Sequence, residues 1–352
     1  MLNSLFKKFS KDVGIDLGTS NTLIYVKERG IVINESSIVA LNNRTDQILA
    51  VGEEAQKMVG KTPPHITISK PLVDSIISDF EVTEKMLKYF IDRITQKSFG
   101  LSPRPRVVIG VPLDVTEVEK KAVEDVVLSA GAREVYLVEN VIATAVGARQ
   151  PIQDPSGNMV VDLGGGITEI AVISLSGVVA WKSLRIAGNR LNQDIVSFAR
   201  NEFNLLIGER VAEDIKIRAG KLTDSNEPIE LKMRGRDLIT GLPKEVIITS
   251  EQVKVAMQRS IAAIIDGIKS TLEITPPELV ADIYQRGMIL AGGGALLAGL
   301  DEMIAKVTKI PVKVIEDPLT CAVRGMGLIL EDDNLLLEVA VPSSTKEEKK
   351  SR

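Results

Sequence analysis

Asp16-Leu17-Gly18-Thr19-Ser20-Asn21-Thr22 returns, altered, as Asp162-Leu163-Gly164-Gly165-Gly166-Ile167-Thr168. Both copies read Asp-Leu-Gly, three residues, then Thr. Each follows an apolar run (Val13 to Ile15; Met159 to Val161) and leads into another (Leu23 to Val26; Ile170 to Ile173). That is the pattern of strand, tight glycine turn, strand. Glycine adopts positive φ and lets the backbone come close to a ligand. Successive amide N–H groups in such a turn make an anion-binding concavity, and Thr19 and Ser20 add hydroxyl donors. A carboxylate at the end of the first strand would repel a phosphate. Asp16 and Asp162 therefore make sense with a cation between, Mg²⁺ held through water. The repeat predicts two related halves, each offering a hairpin turn to one polyphosphate.

Bulk properties narrow the class. A length of 352 residues is enough for two domains with full cores. Apolar residues make up 44% and charges are mixed, which predicts a soluble globular protein. A net charge of −4 argues against nucleic acid as a partner, and 3% aromatic residues leave little for base stacking. Cys321 is the sole cysteine, so internal disulfides are excluded and a reducing, cytoplasmic setting fits. It lies in an apolar stretch and reads as a buried inert thiol. A catalytic triad or a His-rich metal site would rest on the sole histidine, His65, in a loop-like stretch after Pro63-Pro64. No apolar run reaches the ~20 residues of a membrane span, and no small-residue cleavage site follows the N-terminal stretch.

Along the chain, residues 12–28 and 31–41 read as strands. Val82, Met86, Leu87, Phe90, Ile91 and Ile94 share one face of a helix over 82–98. Arg106 to Val111 reads as a buried strand. Thr116-Glu117-Val118-Glu119 is a capping box that opens a helix to about Ala130. Val135 to Val138 is a strand and Glu139 to Arg149 a helix. This rhythm implies parallel strands covered by helices. Pro151 to Asn158 is a polar linker. Helices follow at about 190–203 and 209–220, then a small β insertion over 228–248. Ser250 is expected to cap a helix running to about Leu272. Met288 to Ala291 reads as a buried strand, with Gly292-Gly293-Gly294 opening a helix at Ala295. The expected division is an amphipathic segment over 1–11, a first domain over 12–150, a second over 151–335 and a disordered charged tail over 336–352. Gly60-Lys61-Thr62 imitates the end of a P-loop, but position 55 is Ala rather than Gly and Pro63-Pro64 follows in place of a helix.

Paired Asp-Leu-Gly turns with a late Gly-Gly-Gly turn resemble the ligand-binding layout of the actin-like ATPases. The match is closer to one branch. Gly14-Ile15-Asp16-Leu17-Gly18-Thr19-Ser20-Asn21-Thr22, Arg106-Val107-Val108-Ile109-Gly110-Val111-Pro112, Ser156-Gly157-Asn158-Met159-Val160-Val161-Asp162 and Pro276-Pro277-Glu278-Leu279 resemble the bacterial actins of the MreB family, over about residues 1–335. The resemblance implies an α/β, actin-like fold of two related domains and four subdomains around a cleft that binds ATP and Mg²⁺. It also implies a homopolymer of paired protofilaments attached to the inner face of the cell membrane and governing cell shape. By position, Gly18, Thr19, Ser20 and Asn21 with Gly164, Gly165 and Gly166 would hold the phosphates. Glu213, Asp214, Ile215 and Lys216 match the helix beside the nucleoside, with Glu213 and Lys216 on one face. Gly292, Gly293, Gly294, Ala295 and Leu296 would shape the adenosine pocket.

The departures are informative. The family usually carries Glu-Glu-Pro where this chain has Glu139-Asn140-Val141, and Gly-Gly-Gly-Thr-Thr where it has Gly164-Gly165-Gly166-Ile167-Thr168. Asn140 and Ile167 thus stand where the resemblance puts the residues that position the attacking water. An amide orients water but is no base, and isoleucine does neither. Losing one positioned group costs ~10²–10⁴ in rate. The expectation is a nucleotide binder of slow or lost hydrolysis, a divergent paralogue that resembles the multiple MreB proteins of wall-less swimming bacteria, with other paralogues as potential partners and motility as an alternative role. Asn189 and Asn192 stand where the family usually has Asp.

Leu2, Leu5, Phe6 and Phe9 form one stripe of a short helix flanked by Lys7, Lys8 and Lys11, which suits a headgroup layer. The family's second membrane element, an apolar loop, maps to Phe99 and Leu101. The competing reading is an actin-fold small-molecule kinase, for which Asp74 and Asp79 are candidate bases, although no sugar-binding constellation stands out. A chaperone of the same superfamily would carry a peptide-binding domain after the ATPase, and the chain ends instead in a charged tail.

Overall fold

The computed structural model describes residues 12–95, 104–223 and 228–342. The chain forms two compact units. Unit 1 takes the described residues of 1–155, 173–178 and 319–352, and unit 2 those of 156–172 and 179–318.

In unit 1, β1 (Val13–Leu17), β2 (Asn21–Val26) and β3 (Gly30–Ser36) run as an antiparallel meander. β4 (Val39–Asn42), β5 (Gln47–Val51) and β6 (Ile66–Ser69) make a separate three-stranded sheet, with α1 (Glu53–Met58) between β5 and β6. Gly60-Lys61-Thr62 lies in the loop after α1 and opens no helix. β7 (Leu72–Val73) and β8 (Ile76–Ile77) form a hairpin, followed by α2 (Phe80–Thr95). Val82, Met86, Leu87, Phe90, Ile91 and Ile94 of α2 are all buried, as the helical spacing requires. β9 (Arg106–Val111), α3 (Glu117–Ser129), β10 (Glu134–Glu139) and α4 (Asn140–Gly147) complete the βαβ rhythm. The Thr116–Glu119 capping box is formed in both directions. The main sheet has the order β10-β9-β1-β2-β3. β10, β9 and β1 are parallel, with Ile15 beside Ile109 and Val111 beside Glu139. Their carboxyl ends therefore bring Leu17, Val111 and Glu139 to one edge, where open α/β sheets bind ligands.

In unit 2, β11 (Asn158–Leu163), β12 (Thr168–Ser174) and β13 (Gly177–Leu184) repeat the meander, and the turn over 173–178 is grouped with unit 1. α5 (Gly188–Phe203), β14 (Leu205–Leu206), α6 (Glu209–Ala219), β15 (Glu230–Asp237), β16 (Pro243–Thr249), α7 (Ser250–Glu273), α8 (Pro277–Arg286), β17 (Met288–Ala291), α9 (Leu300–Thr308) and β18 (Val312–Val314) follow. The main sheet has the order β13-β12-β11-β17-β18, and the insertion is a small β14-β15-β16 sheet. β17 lies parallel to β11 with Ala291 beside Asp162, again placing an aspartate and a glycine turn at strand carboxyl ends. Each unit has its own core, Ile15, Met86, Phe90 and Ile109 in one and Leu163, Ile170, Met257 and Leu290 in the other. Each such side chain removed from water contributes ~1.5–3 kcal/mol.

Three local expectations are corrected. The cap of α7 is Thr249, whose side chain accepts from the Gln252 N–H while Gln252 returns the bond. Ser250 is already helical, and its hydroxyl accepts from the Ile229 N–H at 3.1 Å. Gly292 (φ +78°) leads into a 3₁₀ turn over Gly293–Leu296 rather than a helix at Ala295. Regular helix resumes only at Leu300: Leu297 is extended, Ala298 bridges to Lys221, and Gly299 (φ +80°) is the N-cap of the next helix. The C-terminal stretch belongs with unit 1 instead of the second half. α10 (Cys321–Glu331) lies on α4 and β1, and α11 (Asp333–Val339) follows it. The expected tail from 336 begins inside α11: Leu336 is buried, and the Val341 N–H donates to the Leu137 carbonyl at 2.9 Å. Residues 343–352 lie outside the described residues.

Candidate functional site

The first hairpin turn closes tightly because Leu17 pairs with Thr22 and leaves Gly18, Thr19 and Ser20 to turn the chain. The Gly18 N–H donates to the Asn21 carbonyl at 3.1 Å. Ser37 fixes the turn from behind: its hydroxyl donates to the Gly18 carbonyl at 2.6 Å, and its N–H to the Ser20 carbonyl at 2.9 Å. The Thr22 hydroxyl lies 2.9 Å from that of Ser37. Thr19 accepts from the Ser75 N–H at 2.7 Å, and the two hydroxyls are 3.3 Å apart. Ser37 and Ser75 were invisible to motif reading, since neither belongs to the repeat.

The second turn closes the same way, with the Gly164 N–H donating to the Ile167 carbonyl at 3.0 Å. Its carbonyls are also taken from behind, here by a helix N-terminus. The N–H groups of Gly188 and Asn189 donate to the carbonyls of Gly164 (3.0 Å) and Gly165 (2.8 Å). The Lys216 ammonium donates to the Gly188 carbonyl at 2.9 Å, and the Thr168 hydroxyl to the Ile186 carbonyl at 2.6 Å. Both turns thus have carbonyls occupied behind them, the arrangement in which a backbone nest is fixed before any anion arrives.

Asp16 and Asp162 are half-buried next to their turns. Among the described residues no three His, Cys, Asp or Glu side chains gather into a metal cage. Hard carboxylate oxygens of this kind suit Mg²⁺ that keeps most of its waters. In unit 1, α4 begins directly after β10, so Glu139 and Asn140 stand at the sheet's carboxyl edge. The Asn140 Oδ1 fills the space a side chain at Gly110 would need, and it has no hydrogen-bond partner. Burial holds the Glu139 carboxyl above its ordinary range, with Lys120 pulling the other way. Ile167 is buried at the end of its turn.

The helix α6 narrows its four candidates. Glu213 and Lys216 share a half-buried face, Asp214 is exposed and pairs with Arg218 at 3.2 Å, and Ile215 is in the core. A 100° step per residue allows no other outcome, so Asp214 and Ile215 do not belong on the same face as Lys216. Burial lowers the Lys216 pKa, opposed by Glu213 and Glu209. Gly292 and Gly294 are required by packing: a side chain at either would overlap Leu163. Ala295 is buried and Leu296 is 58% exposed. Of the kinase candidates, Asp79 caps α2 by accepting from the Val82 N–H at 3.0 Å, and Asp74 sits in the β7–β8 turn. Cys321 is a buried thiol that donates to the Thr144 carbonyl. Leu2, Leu5, Phe6, Phe9, Phe99 and Leu101 lie outside the described residues. No helix among the described residues is long and apolar enough to cross a membrane.

Comparison with known proteins gives this geometry a context. A model of the MreB/Mbl protein family matches residues 10–338. The chain is 48% identical over 324 residues to the cell shape-determining protein Mbl of Bacillus subtilis, covering 92% of this chain and 97% of that one. It is 46% identical over 335 residues to the cell shape-determining protein MreB of Escherichia coli, covering 94% and 96%. Crystal structures of MreB5 of Spiroplasma citri, one bound to ADP and one to AMPPNP, superpose with a TM-score of 0.88 at 35% identity. The ADP-bound structure covers 93% of this chain and 97% of its own.

Proposed function

The chain belongs to the MreB/Mbl family and has its actin-like fold, and from that footing we propose that it is a nucleotide-gated cytoskeletal protein. In this reading it binds ATP with Mg²⁺, polymerises with copies of itself into paired protofilaments at the cytoplasmic face of the membrane, and takes part in setting cell shape. Nucleotide binding is supported by the ADP-bound and AMPPNP-bound relatives, and the shape role by relatives that carry that name. The observation that carries the reading is the duplicated turn. Gly18 with Asn21 and Gly164 with Ile167 close identically, each at strand carboxyl ends and each braced from behind.

In this reading the amides of Gly18 to Asn21 and Gly164 to Gly166 receive the phosphates. Asp16 and Asp162 hold Mg²⁺ through water. That ion would neutralise phosphate charge. Glu213 and the 3₁₀ turn over Gly293–Leu296 border the nucleoside.

We further propose that hydrolysis is slow. Attack on the γ-phosphate needs an in-line water with a proton acceptor. At Asn140 the amide oxygen is buried and no base, and at Ile167 a buried alkyl group excludes water. Each lost positioning group costs ~10²–10⁴ in rate, though such losses need not add. Filaments should then be long-lived or depend on a hydrolysing paralogue.

The decisive experiment measures phosphate release and sedimentable polymer from the purified protein with ATP and Mg²⁺. Polymer that needs nucleotide, with little phosphate released, is the expected result. Asn140→Glu combined with Ile167→Thr should raise the release rate. Turnover equal to that of ordinary family members would overturn the slow-hydrolysis reading, and no binding heat with any nucleotide would overturn the whole. Removing residues 1–11 should weaken co-sedimentation with anionic liposomes, and unchanged binding would take that segment out of the mechanism.

A further inference from the structure

We propose that β13 is a docking edge for an extended, acidic segment of a partner protein, which adds to the unit 2 sheet as a further strand. This role goes beyond nucleotide binding and does not depend on it.

β13 is the outer strand of the order β13-β12-β11-β17-β18. It is 8 residues long, whereas β18 at the opposite edge has 3. Among the described residues β12 is its only sheet neighbour, and no loop or turn backbone is bonded to residues 177–184. Unit 1 treats its own edge strand differently. There Ala340 bridges to Val138 of β10, and the Val341 N–H donates to the Leu137 carbonyl. A long edge with an open row of N–H and C=O groups is a template for another strand, because each of those groups needs a partner once water is removed.

The side chains suit a strand that arrives with apolar residues at alternate positions. Ala180 and Leu184 pack on the unit 2 core, so the period of two puts Val179 and Trp181 on the other face. Trp181 is the sole tryptophan and is 41% exposed, and Val179 is 45% exposed. Tryptophan is enriched where binding energy concentrates, and Val179 widens the apolar contact beside it.

Charge selects the occupant. Between Glu169 and Asp194 the chain has no acidic residue, although the protein as a whole carries −4. Half-buried Lys182 lies on β13 and exposed Arg185 follows it directly, and neither forms an ion pair with a described residue. A second copy of β13 laid against this edge would bring only another cation, in any register. Like charges so placed are destabilising, which argues against self-pairing and favours an acidic strand. A lipid surface would answer the cations but not the row of backbone groups. In strand addition the backbone pairs supply affinity and the alternate side chains supply selectivity. Here Trp181 and Val179 would meet apolar positions of the incoming segment, and Lys182 and Arg185 its carboxylates.

The test uses the full-length protein and an end-capped heptapeptide that alternates valine with glutamate. Binding is read by anisotropy of a labelled peptide, and by the emission of Trp181 with an unlabelled one. The peptide should bind, and the tryptophan emission should move to shorter wavelength as the ring is covered. Lys182→Glu combined with Arg185→Glu should weaken the glutamate peptide on the order of tenfold and bind a valine–lysine peptide in its place, with a urea midpoint near that of the parent. A glutamate peptide N-methylated along its backbone has no N–H to offer and should not bind the parent, a comparison that stands even if the double variant fails to fold. Equal binding of the N-methylated or the valine–lysine peptide by the parent would overturn the proposal. So would no binding of the glutamate peptide, or binding that leaves the tryptophan emission unmoved. The same emission shift on polymerisation alone would assign the edge to a second copy, and on adding anionic vesicles alone to a lipid surface, and either would overturn the proposal.

Discussion

The Ser75 N–H donates to the Thr19 hydroxyl oxygen at 2.7 Å, joining the first glycine turn to the tip of the β7–β8 hairpin 56 residues away. That tip is strained: Asp74 and Ser75 both hold positive φ, +50° and +61°. Consecutive left-handed residues that are not glycine cost ~1–2 kcal/mol each, so something must hold them. The accepting oxygen of Thr19 does. Its proton stays available to another acceptor, so bracing the hairpin and donating to a phosphate are compatible roles. Thr19→Val keeps the shape and removes the acceptor. The expected loss is ~1–2 kcal/mol in urea-induced unfolding, with Thr19→Ser close to the parent.

A second prediction concerns the unexpected home of the C-terminal helix. α10 lies so close to α4 that a side chain at Gly325 would overlap the Ala143 carbonyl, and one at Gly147 would overlap the Cys321 carbonyl. Both obstacles are backbone and cannot rotate away. Gly325→Ala should therefore push the helices apart and cost about 3 kcal/mol, seen as a lower thermal midpoint. A near-neutral effect would mean that the two helices slide past one another freely.

These two cases show what a sequence makes legible. The duplicated hairpins, the apolar stripe of α2 and the Thr116 capping box depend on residues within a few positions of each other, and local pattern reveals them. The site's supports do not work that way. Ser37 behind Gly18, Ser75 against Thr19 and Lys216 on Gly188 each join segments well apart in the chain. The same holds for α1, whose N-cap is Gly52. The Glu53 N–H there is satisfied by the Glu35 carboxylate at 2.9 Å, from a different strand. Glycines are ambiguous for a related reason. Gly292-Gly293-Gly294 reads in the sequence as a ligand-shaping turn, and the structure adds a second demand on Gly292 and Gly294, the closeness of Leu163. A polar linker over Pro151 to Asn158 is legible in the sequence, whereas the return of the chain to unit 1 after Pro318 depends on helix packing that no local pattern encodes.

Acid should weaken the small β insertion through Asp237. The Thr240 N–H, the Lys244 ammonium and the Ile239 N–H all bond this carboxylate and hold its pKa well below the ordinary value of 3.8. The unfolded state then binds the proton more readily than the folded one, so stability rises with pH through this window. The contribution is present above about pH 4 and disappears as pH falls through the depressed folded value. Asp237→Ala should lower the thermal midpoint at pH 7 and make progressively less difference below pH 4. A variant effect that is constant with pH would show that the carboxylate's charge is not what organises the Asp237–Leu242 tip.

Glu139 should behave in the opposite sense. Burial raises its pKa above the ordinary 4.5, and Lys120 only partly offsets this. A carboxyl with a raised folded pKa holds its proton longer in the native state, so the folded protein binds more protons than the unfolded one over this range. Its contribution is most favourable below about pH 4.5 and is lost as pH rises through the elevated folded value. Glu139→Gln cannot ionise. It should therefore be more stable than the parent at neutral pH and lose that advantage in acid, as read from unfolding midpoints between pH 4 and pH 8. The same substitution bears on the neighbouring Asn140→Glu test. A second carboxyl there would stand next to the first in a half-buried setting, and like charges so placed raise each other's pKa. Phosphate release by the Asn140→Glu, Ile167→Thr protein should accordingly increase with pH as the new carboxyl ionises and can accept a proton. Adding Glu139→Gln should shift that rise to lower pH, and a rise that does not move would mean that the two positions do not sense each other.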